Sequence, residues 1–298
     1  MFDVKSFLRS GFVFCLFGLF RILPLSFSSA LGGLLGRLIG PWLHFHKVAK
    51  INLEHVYPSK SEKEKSIILG DVWDNLGRNI AEFSSMSRLS EEAFYDHVQI
   101  ENLHYVKEWR EMGKAGIVFS AHLANWEILL RVAKRLESPL TFIYRKPKKD
   151  VIDRMISSMR YQYNRDIQLI PKGPKGIKPM VRAIQGGRSM GMLIDQKMNA
   201  GVEVPFLGHP SMTADALALL SRRHHMPVLP VQIVRLGGVR FKVIIHKPFM
   251  AENTESEERD VHHTMERVNG LVGDWVNQHP GQWLWIHKRW KFDYKKNT

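Results

Sequence analysis

From residue 116 onward, short apolar runs alternate with longer amphipathic segments. The apolar runs predict buried strands at 116–120, 140–144, 167–170, 189–194, 228–235 and 239–246. Segments with helical spacing of apolar residues accompany them, at 125–136, 150–164, 176–184, 214–224 and 255–278. Strands alternating with helices predict an α/β fold, with a mostly parallel central sheet covered by helices on both faces.

Two further helices are predicted ahead of these strands. Ser61 and Glu64 form a capping-box pattern, which predicts a helix from there to about Phe83. A shorter helix is predicted over 103–112. Gly237 and Gly238 separate the last two strands, so these strands are expected to form a hairpin.

The N-terminal segment has a different pattern. Residues 11–20 and 22–36 carry no charge, and only Arg21 interrupts them. Together they are long enough to enter a membrane, but Arg21 and Pro24 lie in the middle. We therefore expect residues 1–45 to form a hydrophobic helical membrane anchor, as one embedded helix or a pair lying partly among headgroups, ahead of a catalytic domain at 46–298. The alternatives are a signal peptide, which lacks a clear cleavage site here, and an ordinary pair of buried helices.

The net positive charge of the chain indicates which kinds of partner it could bind. The chain has 43 Lys and Arg against 29 Asp and Glu, a net charge of +14. Residues 145–188 alone contain twelve basic and three acidic residues, a net of +9. Such a segment is either a solvated basic face or a binding surface for an acidic protein, a phosphorylated substrate, anionic lipid or nucleic acid. The single cysteine, Cys15, excludes an intramolecular disulfide.

Candidate chemistry lies just beyond the strand predicted at 116–120. His122 follows this strand, and Glu127 falls in the first turn of the next helix. Across this loop the carboxylate is expected to orient the imidazole as a general base, with Asn125 as a candidate donor to developing negative charge. A metal site would require a different spacing, and the elbow motif that would make Ser120 a nucleophile is absent. No metal or cofactor is therefore expected.

These residues are similar to a known family. The segment from Ser120 through His122 to Glu127 resembles the His-x4-Asp/Glu signature of glycerolipid acyltransferases, and its Asn-Trp-Glu form resembles the late acyltransferases of lipid A biosynthesis. Further blocks resemble that branch in order along nearly the whole chain: 142–145, 193–197, 204–208 with Thr213, 227–230 and 280–291. In the last block, Lys288 stands where the branch commonly has Arg.

The resemblance implies a substrate and roles for further residues. It implies a fatty acyl thioester donor, usually on acyl carrier protein, and a phosphorylated glycolipid acceptor at the cytoplasmic face of the bacterial inner membrane. Arg145, Lys146 and Lys197 would supply positive charge to the acceptor. The substrate-binding set is completed by Asp195, Gln196 and Thr213, together with Asn125. Trp283, Trp285 and Trp290 are open to three interpretations: groove wall, membrane-interface anchor or core.

Three alternatives remain at the level of sequence. In the first, the chain is an acyltransferase whose acceptor is a glycerophospholipid or a mannosylated lipid. In the second, it is a hydrolase that cleaves the acyl thioester. In a different class, a basic non-enzymatic protein would bind nucleic acid or membrane, but no nucleic-acid-binding module is visible and nucleic acid is not expected as a partner.

Overall fold

The computed structural model describes residues 11, 15–147, 149–292 and 294. Its helices are α1 (Leu25–Ile39), α2 (His44–Val56), α3 (Glu62–Met86), α4 (Glu91–Tyr95), α5 (His104–Glu111), α6 (Leu129–Val132), α7 (Asp150–Tyr163), α8 (Pro174–Gln185), α9 (Ala216–His224) and α10 (Glu257–Gln278). Its strands are β1 (Val98–Glu101), β2 (Ile117–Ser120), β3 (Leu140–Tyr144), β4 (Gln168–Pro171), β5 (Ser189–Leu193), β6 (Val202–Phe206), β7 (His209–Thr213), β8 (Val228–Gly237) and β9 (Arg240–Ile245).

Seven strands form the central sheet, in the order β1-β9-β8-β2-β5-β3-β4. Every pairing in it is parallel except β8 with β9, which form the hairpin expected at Gly237 and Gly238. The mostly parallel α/β sheet is therefore confirmed. Strand β1 was not predicted, and neither was the separate hairpin of β6 and β7.

Apolar side chains of β2 alternate between two cores, one on each face of the sheet. Ile117 and Phe119 pack with α9 and α10, whereas Val118 belongs to the cluster on the opposite face. Every residue of β2 is buried, as expected for a central parallel strand with helices on both sides. The hydrophobic run of this strand thus places its carboxyl end in the middle of the molecule.

The helix expected at 125–136 is broken. Two short 3-10 segments, Trp126–Ile128 and Ala133–Leu136, flank the single turn of α6. By contrast, α3 begins at the predicted capping box, with Ser61 and Glu64 bonded in both directions, and runs three residues further than Phe83.

Helix α1 packs closely against α3. A side chain at Gly32 would lie 2.5 Å from the carbonyl oxygen of Gly77, so glycines allow the two backbones to meet. Within the described ranges, no helix combines the length and apolar character needed to cross a bilayer. The hydrophobic helical anchor expected over residues 1–45 is therefore not found as a membrane-crossing helix in that part of the chain. The part of the prediction that concerns residues 1–10 and 12–14 lies outside the described residues.

Candidate active site

The register between β2 and β5 brings His122 beside Asp195. Ser120 pairs with Leu193 at the end of the two parallel strands, so residues two positions further along each strand meet at the same edge. Asp195 Oδ1 accepts a hydrogen bond from His122 Nδ1 at 2.8 Å, and its Oδ2 accepts from the backbone N–H of His122 at 2.9 Å. The imidazole is thus held by a carboxylate from the neighbouring strand.

Asp195 is fully buried and remains ionised. Burial alone would raise the pKa of this carboxyl group. Electrostatic attraction to the His122 imidazole, the two hydrogen bonds from His122 and one from Trp283 outweigh burial and hold the pKa of Asp195 well below its usual range. Trp283 Nε1 donates to Oδ2 at 2.7 Å, which assigns this buried tryptophan to the core and to the support of Asp195.

The bond to Asp195 determines which nitrogen of His122 is free to accept a proton. When Nδ1–H donates to Asp195, Nε2 carries the lone pair. Gln196 Nε2 donates to this nitrogen at 3.0 Å. The acceptor nitrogen of the imidazole therefore points to the side of the site that Gln196 occupies.

Glu127 does not bond to His122. Its two carboxylate oxygens accept hydrogen bonds from Arg160 on α7, at 2.6 and 3.0 Å. The expected contact across the loop is wrong. The short 3-10 turn directs Glu127 towards α7, and Asp195, two residues beyond the end of β5, supplies the carboxylate for the imidazole. Trp126, between the two, packs edge to face against the His122 ring with centroids 5.0 Å apart.

Three cations follow the ends of three neighbouring strands. Arg145 follows β3, Lys172 follows β4, and Lys197 lies beyond the end of β5. Tyr144 pairs with Pro171, which places Arg145 and Lys172 opposite each other. Burial and the charge of Arg145 lower the pKa of Lys172. Arg145 and Lys197 are exposed, so this edge of the sheet presents concentrated positive charge to a ligand.

Other predicted site residues are engaged within the protein. Lys146 pairs with Asp150 at 2.9 Å on the surface. Asn125 is fully buried and bonds to Glu82 and to the backbone N–H of Glu127. Thr213 is also fully buried, and its hydroxyl accepts hydrogen bonds from Asn269 and Arg289. Neither Asn125 nor Thr213 therefore offers an accessible group to a substrate in this conformation.

Sequence reasoning missed three residues of the site. Arg160 pairs with Glu127, Lys172 joins the basic edge, and His287 faces His122 with ring centroids 5.6 Å apart. Burial and the charge of His122 lower the pKa of His287 to about 4, so this second imidazole is neutral at neutral pH. Lys172 lies in the basic segment 145–188, and His287 lies in the block 280–291 that resembles the family. No local spacing connects either residue to His122.

The alternative of a serine nucleophile receives no support from the geometry. Ser120 Oγ is buried and has no hydrogen-bond partner among the described residues, His122 included. A nucleophilic serine would have to be within hydrogen-bond reach of its base.

Comparisons with known proteins show which family the chain resembles. The family model described as bacterial lipid A biosynthesis acyltransferase matches residues 5–292. A lipid A biosynthesis acyltransferase of Haemophilus influenzae is 25% identical over 251 residues, 82% of this chain and 76% of that protein. The lipid A biosynthesis palmitoleoyltransferase of Escherichia coli is 22% identical over 273 residues, 90% of this chain and 86% of that protein. The lipid A biosynthesis myristoyltransferase of Escherichia coli is 22% identical over 244 residues, 80% of this chain and 73% of that protein. The chain therefore belongs to the bacterial lipid A biosynthesis acyltransferases.

Proposed function

We propose that this protein transfers a fatty acyl group from the thioester of acyl carrier protein to a hydroxyl of a phosphorylated glycolipid, with His122 as general base. The observation that carries the proposal is the His122 imidazole, oriented by buried Asp195 with Nε2 as acceptor, beside the basic edge of the sheet. Nε2 takes the proton of the acceptor hydroxyl, whose oxygen attacks the thioester carbonyl carbon. The carbon–sulfur bond then breaks, and the imidazolium returns the proton to the leaving thiolate.

Gln196 and Glu127 have supporting roles in this proposal. The Gln196 amide occupies the place that the acceptor hydroxyl needs, so it moves aside when the acceptor binds. Glu127 holds the Arg160 guanidinium next to the site, where a fixed cation would stabilise negative charge on the carbonyl oxygen. Glu127 thereby acts on the reaction through Arg160 rather than through the imidazole.

The acceptor phosphates bind to the cations at the strand ends. Arg145, Lys172 and Lys197 converge on one edge, and phosphate oxygens prefer such donors. Lysophosphatidate and a mannosylated lipid are the competing acceptors, and free fatty acid released without any acceptor would indicate hydrolysis instead.

The central experiment compares wild type with His122→Ala, using an acyl carrier protein thioester and each acceptor in turn. We expect product on the phosphorylated disaccharide lipid with wild type and none with His122→Ala. His246→Asn is the matched control, because His246 is a part-buried histidine whose ring contacts Gln232 and Trp275, both outside the site. Wild-type transfer by His122→Ala in folded protein would refute the general base.

Exposed basic residues are proposed to dock the acidic carrier protein. They lie on α7, α8 and the connection between α7 and β4: Arg154, Arg165, Lys175, Lys178 and Arg182. Reversing Lys175, Lys178 and Arg182 to Glu should raise KM for the carrier-bound donor about tenfold and leave KM for an acyl-coenzyme A donor unchanged. The control carries the same charge change elsewhere, at Lys63, Lys107 and Lys114. An equal rise with both donors would contradict a carrier-specific surface.

The apolar N-terminal face is proposed to lie against the cytoplasmic surface of the inner membrane. Ile22, Leu38 and Trp42 in this region are 74%, 60% and 87% exposed. Several large apolar side chains exposed within one short segment are typical of interfacial attachment. Leu38→Glu with Trp42→Glu should release the protein from anionic vesicles. Ile177→Glu, at a site on α8 that is 57% exposed and so close to the 60% of Leu38, should not. Unchanged vesicle binding by the double variant would refute this surface.

A further inference from the structure

A buried ion pair lies behind the loop that carries His122. Glu82 on α3 is fully buried, and Arg235 on β8 is almost so. The Arg235 guanidinium donates hydrogen bonds to both carboxylate oxygens of Glu82, from Nη1 to Oε1 at 2.5 Å and from Nη2 to Oε2 at 3.0 Å. Ser29 on α1 also donates to Oε1 at 2.6 Å. The pair therefore joins the sheet, α3 and the N-terminal helix at one buried point.

This ion pair is bonded to the loop 121–125 through three asparagines. Arg235 Nε donates to Asn75 Oδ1 at 2.9 Å, and its Nη2 donates to Asn79 Oδ1 at 2.7 Å. The amide nitrogens of both asparagines in turn donate to the carbonyl oxygen of Ala124. Glu82 Oε2 accepts from Asn125 Nδ2 at 2.9 Å. Each half of the pair thus reaches one residue of the loop.

The conformation of this loop needs outside support. Ala124 has a φ of 46°, in the left-handed region that alanine seldom adopts. Such a residue persists only where its surroundings determine its conformation. Here the Ala124 carbonyl is held by Asn75 and Asn79, and its N–H donates to Gln282 O at 3.0 Å. Two residues earlier, the carbonyl of His122 accepts from Leu284 N–H at 3.1 Å.

We propose that Glu82 and Arg235 are positioning residues for acyl transfer, because they hold Asn75, Asn79 and Asn125 against the loop that aims the His122 imidazole. The inference rests on the proposed role of His122 as base. Neither Glu82 nor Arg235 bonds to His122, so they act through the loop and not on the substrate. Burying an ion pair costs desolvation free energy. The need to hold the loop of His122 in one geometry accounts for the presence of this pair.

The test measures kcat and KM for both substrates in Glu82→Gln and Asn79→Ala. We expect kcat to fall about 10- to 100-fold, since a displacement on the order of 1 Å has that effect on a reacting group. Both KM values should stay within about twofold, because the residues that bind substrate are untouched. A KM increase with normal kcat, or normal values of both, would overturn the proposal.

A matched control separates positioning from stability. Asp260 is a buried carboxylate paired with Arg222 at 3.0 Å. Its oxygens also accept hydrogen bonds from Thr254, which is far from the loop 121–125 in the chain. Asp260→Asn should lower Tm as Glu82→Gln does, yet keep kcat within about twofold when both are assayed well below Tm. Equal kcat losses in the two variants would overturn the positioning role.

Two further variants keep the test decisive. If Glu82→Gln fails to fold, the double variant Glu82→Gln, Arg235→Gln removes both charges together and should fold with the same loss of kcat. Wild-type kcat in that double variant would overturn the inference. His122→Ala distinguishes the two proposals: activity in His122→Ala refutes the general base, whereas inactive His122→Ala with fully active Glu82→Gln refutes positioning alone.

Discussion

The two sides of the His122 imidazole differ in burial and in how their residues come together. On the strand-end side, Asp195 is fully buried and bonds directly to the ring, with Trp283 behind it. On the loop side, Glu127 is partly exposed, close to His122 in sequence, and paired with Arg160. Adjacent parallel strands thus bring Asp195 against His122 although the two residues are far apart in the chain. Glu127, only five residues from His122, does not contact the imidazole in this way. The buried side is suited to orienting the base, and the exposed side to contacting substrate.

The largest expected effect comes from the buried side. Asp195→Asn keeps the shape of the side chain but removes the negative charge that orients and stabilises the imidazole. We expect kcat to fall about 10³- to 10⁴-fold, the scale seen when the carboxylate behind a catalytic histidine is neutralised. Steady-state kinetics on folded protein would measure it. A loss smaller than that of Glu127→Gln would reverse the comparison between the two sides.

Glu127→Ala should have the next largest effect. It leaves the Arg160 guanidinium without its bidentate partner, so we expect a loss of about 10²-fold or more in kcat. If Glu127 acts through Arg160, then Arg160→Gln alone and the double variant should lose about as much as Glu127→Ala. Additive losses in the double variant would show independent roles.

Arg145→Ala tests the exposed side at the basic edge. Arg145 makes no hydrogen bond or ion pair within the described part of the chain, so we expect the protein to stay folded when its side chain is removed. We expect KM for the phosphorylated acceptor to rise about tenfold, with a smaller change in kcat. Initial rates over a range of acceptor concentrations would measure this. An unchanged KM would exclude Arg145 from substrate binding, and Lys146→Ala, whose ammonium already pairs with Asp150, serves for comparison.

Substitution of His287 is expected to affect catalysis least. Its main effect should be on how the stability of the protein depends on pH. The pKa of this imidazole falls from 6.5 to about 4 on folding, because it is buried beside His122. Between these values the unfolded chain binds the proton and the folded protein does not, so stability is lost as pH falls through that window. The full loss is on the order of 3 kcal/mol.

Urea unfolding of wild type and His287→Asn between pH 7.5 and 4.5 would measure this slope. We expect the variant to lose less stability than wild type on acidification. Some dependence should remain, because burial also lowers the pKa values of His46, His246 and His279. Identical slopes in the two proteins would show that His287 is not held neutral.

The sequence by itself determined the α/β class, because apolar runs and helical spacing are local patterns that each element carries alone. It also located the capping box of α3, the hairpin at Gly237 and Gly238, and His122 at a strand end. These features depend on residues close together in the chain, and the physics that produces them is equally local.

Only the tertiary structure decided which groups meet. The order of strands in the sheet placed β5 beside β2 and so paired Asp195 with His122, residues 73 positions apart. It also broke the helix expected at 125–136, turned Glu127 towards Arg160, and packed α1 on α3. Strand order and register arise from the packing of two cores across the sheet, and no spacing within one segment encodes them.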